Sequence, residues 1–182
     1  FLARDGYFMY RAALLFCEAF DLSLECRYLS CSRYSIRIPM YHLDRAAALD
    51  YVCRGGIDVT PGKIMARAGL TEREGNEVLE SLSFPYGKYE NIPFAALPEV
   101  RLAIQKSPRF LGYMEKHSRE AMPAFAGYLK QEGLLEEIDY AVVDSGWVGS
   151  MQKTLGDALS HFGRKQTLEG YYWGLYELPA DV

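Results

Sequence analysis

Residues 140–150 read Tyr-Ala-Val-Val-Asp-Ser-Gly-Trp-Val-Gly-Ser. The apolar run from Tyr140 to Val143 has the character of a strand buried on both faces, the kind that belongs to a parallel sheet covered by helices. Asp144, Ser145, Gly146, Trp147, Val148, Gly149 and Ser150 then read as a loop. The next segment, MQKTLGDALSHFG at 151–163, is a helix that Ser150 can cap and Gly163 can end. LEGYYWGLYEL at 168–178 returns as an aromatic strand. Strand, loop, helix and strand in that order make a parallel βαβ unit.

The start of the chain repeats the pattern. FLARDG at 1–6 is a short apolar strand ending in an Arg-Asp-Gly turn, and Phe8, Ala12, Leu15, Phe16 and Ala19 then recur at helical spacing. RYLS at 27–30 reads as a second strand, Cys31, Ser32 and Arg33 as a polar turn, and YHLDRAAALDYV at 41–52 as a helix. From about 55 to 135 the chain becomes helical, with Thr60-Pro61 as one helix start, Thr71 and Glu74 as a capping box, and Ser107-Pro108 as another start. Pro123 should kink or interrupt that last helix before Gly133 ends it. The expectation is one α/β domain over residues 1–182, with a helical insertion or cap at about 55–135, cut from a longer polypeptide because Phe1 enters a strand halfway.

Bulk properties narrow the classes of function. A net charge of −4 with no basic run opposes a nucleic-acid partner, and no apolar run approaches the ~20 residues of a membrane-spanning helix. Cys17, Cys26, Cys31 and Cys53 lack zinc-site spacing and read as free thiols in a reducing compartment, so the expected location is the cytoplasm. His42, His117 and His161 fall on separate helices and define no metal or base arrangement.

In open α/β sheets, ligands bind beyond the carboxyl ends of the strands. On that rim, Gly146 and Gly149 can bring amides close to an anion, the helix start at Ser150 offers unpaired N–H groups, and Ser145 and Ser150 add hydroxyls. Asp144 would serve by binding ribose hydroxyls or a Mg²⁺ ion that neutralises a diphosphate. The plain alternative is that Asp144 caps the amides of its own loop while the glycines only make a tight turn. The first loop adds Arg4 to hold a pyrophosphate oxygen, Asp5 to position that arginine and Gly6 for close backbone approach; the second adds Ser30, Ser32 and Arg33. Trp147 could wall a sugar or isoprenoid site, or pack against the cap.

FLARDG, YLSCSR, VVDSGWVGSMQ and GYYWGL, in that order, resemble a phosphoribosyltransferase-like domain of bacterial capsule and O-antigen polysaccharide biosynthesis proteins, often fused to a HAD-type hydrolase domain. The chain lacks the DxD pair that a HAD phosphatase uses, so that label belongs to a neighbouring domain. The resemblance implies a mainly parallel sheet of type I phosphoribosyltransferase-like, Rossmann-like topology. It implies transfer of ribofuranose 5-phosphate from phosphoribosyl pyrophosphate (PRPP), with substrate-bound Mg²⁺, to a glycan or lipid-linked acceptor, a phosphatase acting next. Asp144 matches the first acid of the family's sugar-phosphate loop and would also meet the metal, Gly149 matches its turn glycine, Ser150 is among its phosphate donors, and Arg4, Asp5 and Gly6 match its pyrophosphate loop. Ser145 stands where a second acid is usual. A non-catalytic phosphate-binding or supporting domain of a HAD-superfamily hydrolase protein is the alternative.

Overall fold

The computed structural model describes residues 1–176 and, of Trp147, the backbone alone. The end of the expected strand at 168–178, and the role expected for the Trp147 ring, lie outside the described residues. Eight α-helices are described: α1 Ala3–Ala19, α2 Arg33–Met40, α3 Arg45–Val52, α4 Pro61–Arg67, α5 Glu72–Leu82, α6 Leu97–Gln105, α7 Pro108–Gln131 and α8 Ser150–His161. Two strands, β1 Ala141–Trp147 and β2 Glu169–Leu175, pair in parallel with Val143 opposite Tyr171 and Asp144 opposite Tyr172.

The fold expected from the sequence is thereby corrected. Helix dominates, and the sheet among the described residues is a single two-stranded parallel ribbon rather than a mainly parallel Rossmann-like sheet. The reason is local. Leu2 makes one parallel bridge to Leu29 and α1 starts at once, at Ala3, so neither FL nor RYLS has the length to propagate a ladder. The βαβ unit at 141–175 does form, with α8 between its strands.

By compactness the chain divides into two units, Phe1–Ile36 with Ala124–Val182, and Arg37–Pro123. The first buries Leu2, Leu29, Val142, Leu155 and Leu159 around the ribbon. The second is entirely helical, and its core gathers Val52, Ile64, Val78, Ile104, Phe110 and Met114. Its caps follow the sequence. The Thr60 hydroxyl accepts the Lys63 N–H at 3.2 Å ahead of Pro61, and Thr71 and Glu74 form the reciprocal capping box. Pro123 does not interrupt α7, which runs on to Gln131; a proline removes one helical hydrogen bond without ending a helix whose neighbouring turns are held.

Two further expectations change in detail. The segment read as a loop from Asp144 is strand as far as Trp147, leaving Val148 and Gly149 as the turn. Ser150 is the first residue of α8 and not its cap; Gly149, at φ 63°, occupies the cap position without a capping side chain. All four cysteines are free. Among the described residues, no helix is long and apolar enough to cross a membrane.

Candidate functional site

Backbone hydrogen bonds bring the three expected loops to one end of the first unit. The Leu2 N–H donates to the Val143 carbonyl at 2.9 Å, and the Leu29 N–H donates to the Phe1 carbonyl at 2.8 Å. Leu2 therefore lies between Leu29 and β1. Leu2 and Leu29 run parallel, as do β1 and β2, so the residues that follow Leu2 and Leu29 emerge together. Around them stand the first turn of α1, Cys31 and Asp144.

Asp144 is the centre of this corner. It is only 9% exposed, and burial pushes its carboxyl above the ordinary carboxylate range. The N–H groups of Gly146 and Ser145 oppose that shift by donating to it, as does the Ser145 hydroxyl at 3.5 Å, while the charge of Asp5 raises it further. Asp144 thus satisfies amides of its own chain, as the plain alternative requires, and the charge of Asp5 reaches it from the first turn of α1. Arg4 is exposed and makes no ion pair with Asp5; among the described residues its guanidinium has no partner. Asp5, expected to position Arg4, makes no ion pair with it among the described residues, and its charge acts on Asp144.

The glycines divide by function. Gly6 is buried in α1 beside β1, and a Cβ there would meet the Phe1 carbonyl carbon at 3.4 Å and the Val143 oxygen at 3.8 Å, ordinary contact distances, so its place is in the packing of α1. Gly146 has φ 128° and faces Gly174 across the ribbon. Both are packing glycines. Gly149 alone stands where a backbone could approach an anion, at the start of α8, whose first N–H groups lack intrahelical acceptors.

The second predicted loop is largely spent on structure. The Ser32 hydroxyl accepts the Ser35 N–H at 3.1 Å and the Ser35 hydroxyl accepts the Ser32 N–H at 2.8 Å, a reciprocal cap for α2 built from two serines. The Ser30 N–H donates to the Tyr128 hydroxyl. Arg33 opens α2, is exposed, and has no side-chain partner among the described residues.

Three residues at this corner, Cys31, Tyr172 and Gln152, carry no signal of their place in the sequence. The Cys31 thiol is pushed up by burial, the nearby Ala3 N–H opposing the shift and Asp144 adding to it, so it stays protonated at neutral pH and is no thiolate nucleophile. Tyr172, in register with Asp144, is raised by burial and then by Asp144. Its hydroxyl donates to Gln152 Oε1, and Gln152 Nε2 donates to the Leu168 carbonyl at 2.6 Å, which ties α8 to β2. Only the register of β1 on β2 would have disclosed Tyr172.

Among the described residues, no group of three His, Cys, Asp or Glu side chains has metal-binding geometry. Asp144 supplies a carboxylate of the kind that holds Mg²⁺ in the looser mode, in which the ion keeps most of its waters and is bound by one or two carboxylates and a substrate's phosphates. The large cavity of the first unit, about 1130 Å³, opens at the other end of the ribbon, beside Phe1, Ala141 and Glu169. Its arginines are committed to carbonyl groups, Arg27 to Glu132 and Arg164 to Glu136 and Ile138. The helical unit has a separate cavity of about 570 Å³ over Met65, Leu70 and Leu79, lined by none of the predicted site residues. No protein-family model matches the chain, and no curated protein does either.

Proposed function

We propose that the corner formed by Asp144, Asp5 and the start of α8 binds a phosphorylated ribofuranose, PRPP in the first instance, and transfers its ribose 5-phosphate to a glycan or lipid-linked acceptor. The observation that carries this reading is that Asp144, buried within β1 three residues ahead of its end, feels the charge of Asp5 from the first turn of α1, while α8 begins after Gly149 without a side-chain cap. A buried carboxyl at that position accepts hydrogen bonds from ribose hydroxyls, and the first turn of α8 after Gly149 would take the 5-phosphate on backbone N–H groups. Arg4, exposed and unpaired among the described residues, is within the first turn of α1 to meet the pyrophosphate.

When bound, Mg²⁺ would neutralise the diphosphate and make it a better leaving group. The chain's own residues do the rest. Asp144 and Asp5 offer it one or two carboxylate oxygens, and Asp144 holds negative charge near the anomeric carbon as positive charge develops there. The bond from that carbon to pyrophosphate breaks, a bond to the acceptor oxygen forms, and the acceptor proton leaves. Asp5, exposed beside Asp144, is the candidate to receive it. A phosphatase in a fused or neighbouring domain would then remove the 5-phosphate.

The capping of Ser145 and Gly146 by Asp144 favours a second reading, a phosphate-binding or supporting domain without transfer activity. One experiment separates the two. The chain is incubated with PRPP, Mg²⁺ and a lipid-linked glycan, and the products are followed by mass spectrometry and pyrophosphate release. Transfer predicts an acceptor heavier by one ribose 5-phosphate and an equal yield of pyrophosphate, both lost in Asp144→Asn. Binding of PRPP without either product leaves the supporting reading.

A further inference from the structure

Helix α1 is 17 residues long, about 25 Å, and carries two apolar faces where its own unit covers only one. Gly6 is buried, and Met9, Tyr10, Ala13 and Cys17 are half-buried, which defines the inward stripe. On another face Phe8 is 79% exposed, Leu15 63% and Phe16 59%, with Ala12 and Ala19 exposed between them. An apolar stripe on a helix needs a partner face, and exposed large apolar side chains set contiguously mark an interaction surface rather than scattered surface residues.

The spacing of that stripe says what the partner is. Phe8, Ala12, Leu15 and Ala19 are separated by four, three and four residues, the heptad spacing of a helix–helix seam, and they alternate large and small. If a second α1 lies antiparallel across a two-fold axis near the middle of the helix, Phe8 faces Ala19 of the second copy and Leu15 faces Ala12. Every large side chain then meets a small one, the arrangement in which facing layers interdigitate. Arg11 and Glu18 are one heptad apart on the same flank of the seam, so the same two-fold axis sets Arg11 beside Glu18 of the second copy, twice. A parallel pair would oppose Phe8 to Phe8 and Ala12 to Ala12, and would leave Arg11 without an acid.

We infer that α1 is a self-complementary dimerisation helix: two copies of this chain pair antiparallel through Phe8, Ala12, Leu15 and Ala19, with two Arg11–Glu18 ion pairs along one flank. The seam holds the helix whose first turn carries Arg4 and Asp5, so pairing would brace that end of the chain.

Sedimentation velocity of the 182-residue chain over a hundredfold range of concentration tests this. The expected result is a reversible dimer. Leu15→Glu, an exposed site that costs the monomer little, should weaken it more than a hundredfold by burying two unpaired charges. Arg11→Glu alone and Glu18→Arg alone should each weaken it roughly tenfold, and the double variant should recover the original affinity, since only antiparallel pairing makes the reversal complementary. Circular dichroism of each variant keeps loss of the dimer distinct from loss of the fold. A monomer at every concentration, or a dimer indifferent to Leu15→Glu, would overturn the inference. So would single charge variants that weaken the dimer with no recovery in the double. Flotation of the monomer with neutral phosphatidylcholine vesicles, abolished by Leu15→Glu, would overturn it in favour of a lipid surface.

Discussion

Gly146 and Gly174 face each other across the two strands so closely that a Cβ on Gly146 would come within 1.7 Å of the Gly174 carbonyl oxygen. Gly146 also holds φ 128°, a conformation closed to side chains, so the position is doubly restricted. Gly146→Ala should destabilise the chain by about 3 kcal/mol or more, read as a lowered midpoint in urea. An alanine at Gly174, where nothing lies near the added carbon, should cost far less. Equal losses at the two positions would show that the strands do not approach in this register.

Asp144 makes a prediction in which binding and stability move in opposite directions. Its folded carboxyl is raised above the unfolded value, so ionisation costs the fold stability as pH rises from below the unfolded pKa of about 3.9 through the folded one. Asp144→Asn keeps an oxygen for the Ser145 and Gly146 amides and removes the charge. Its melting temperature at pH 7 should equal or exceed that of the native chain, with the difference gone at pH 3. A variant less stable at pH 7 than at pH 3, relative to the native chain, would mean that the ionised carboxylate is a structural anchor.

Glu74 behaves with the opposite sign. Burial pushes its carboxyl up, but the Thr71 N–H, His117 at 2.7 Å and the Thr71 hydroxyl outweigh that and hold it at about 2. The stability it contributes is present above its unfolded pKa of about 4.3 and is lost as pH falls toward 2. Glu74→Gln should therefore cost about 1 kcal/mol at pH 7, with the deficit closing between about pH 4 and pH 2 in parallel urea titrations. A deficit independent of pH would assign the loss to packing.

The tie between α8 and β2 depends on Gln152, which accepts from Tyr172 and donates to Leu168. Gly170 leaves room for it, since a Cβ there would fall 2.0 Å from Gln152 Oε1. Gln152→Ala and Tyr172→Phe should each lower stability by about 1 kcal/mol, and the double variant should lose less than their sum because they share one hydrogen bond. Full additivity would separate the two side chains.

How far the sequence speaks depends on whether a feature is local. The parallel pairing of β1 and β2, the intervening helix α8 and the capping box at Thr71 all follow from adjacent residues, and all are present. The extent of the sheet is not local. Leu2 and Leu29 have strand-like side chains, yet one bridge is all their backbones form before α1 begins. Gly146 reads as a loop residue because glycine is depleted in strand interiors; its reason, Gly174, is visible only in register. The covered face of α1 is hidden for a related cause. Phe8, Ala12, Leu15, Phe16 and Ala19 are the more apolar stripe, yet the face that α1 buries is the one carrying Gly6. At the candidate site, Asp144 and Asp5 can be named from sequence as rim residues, whereas the effect of Asp5 on Asp144 belongs to the folded protein.

The most direct measurement of the central claim is isothermal titration of PRPP with Mg²⁺ into the native chain and into Asp144→Asn and Arg4→Ala. Saturable binding that falls at least tenfold in both variants, while each stays folded, is the predicted result. No heat at saturating PRPP, or binding that both substitutions leave untouched, would contradict the assignment of this corner.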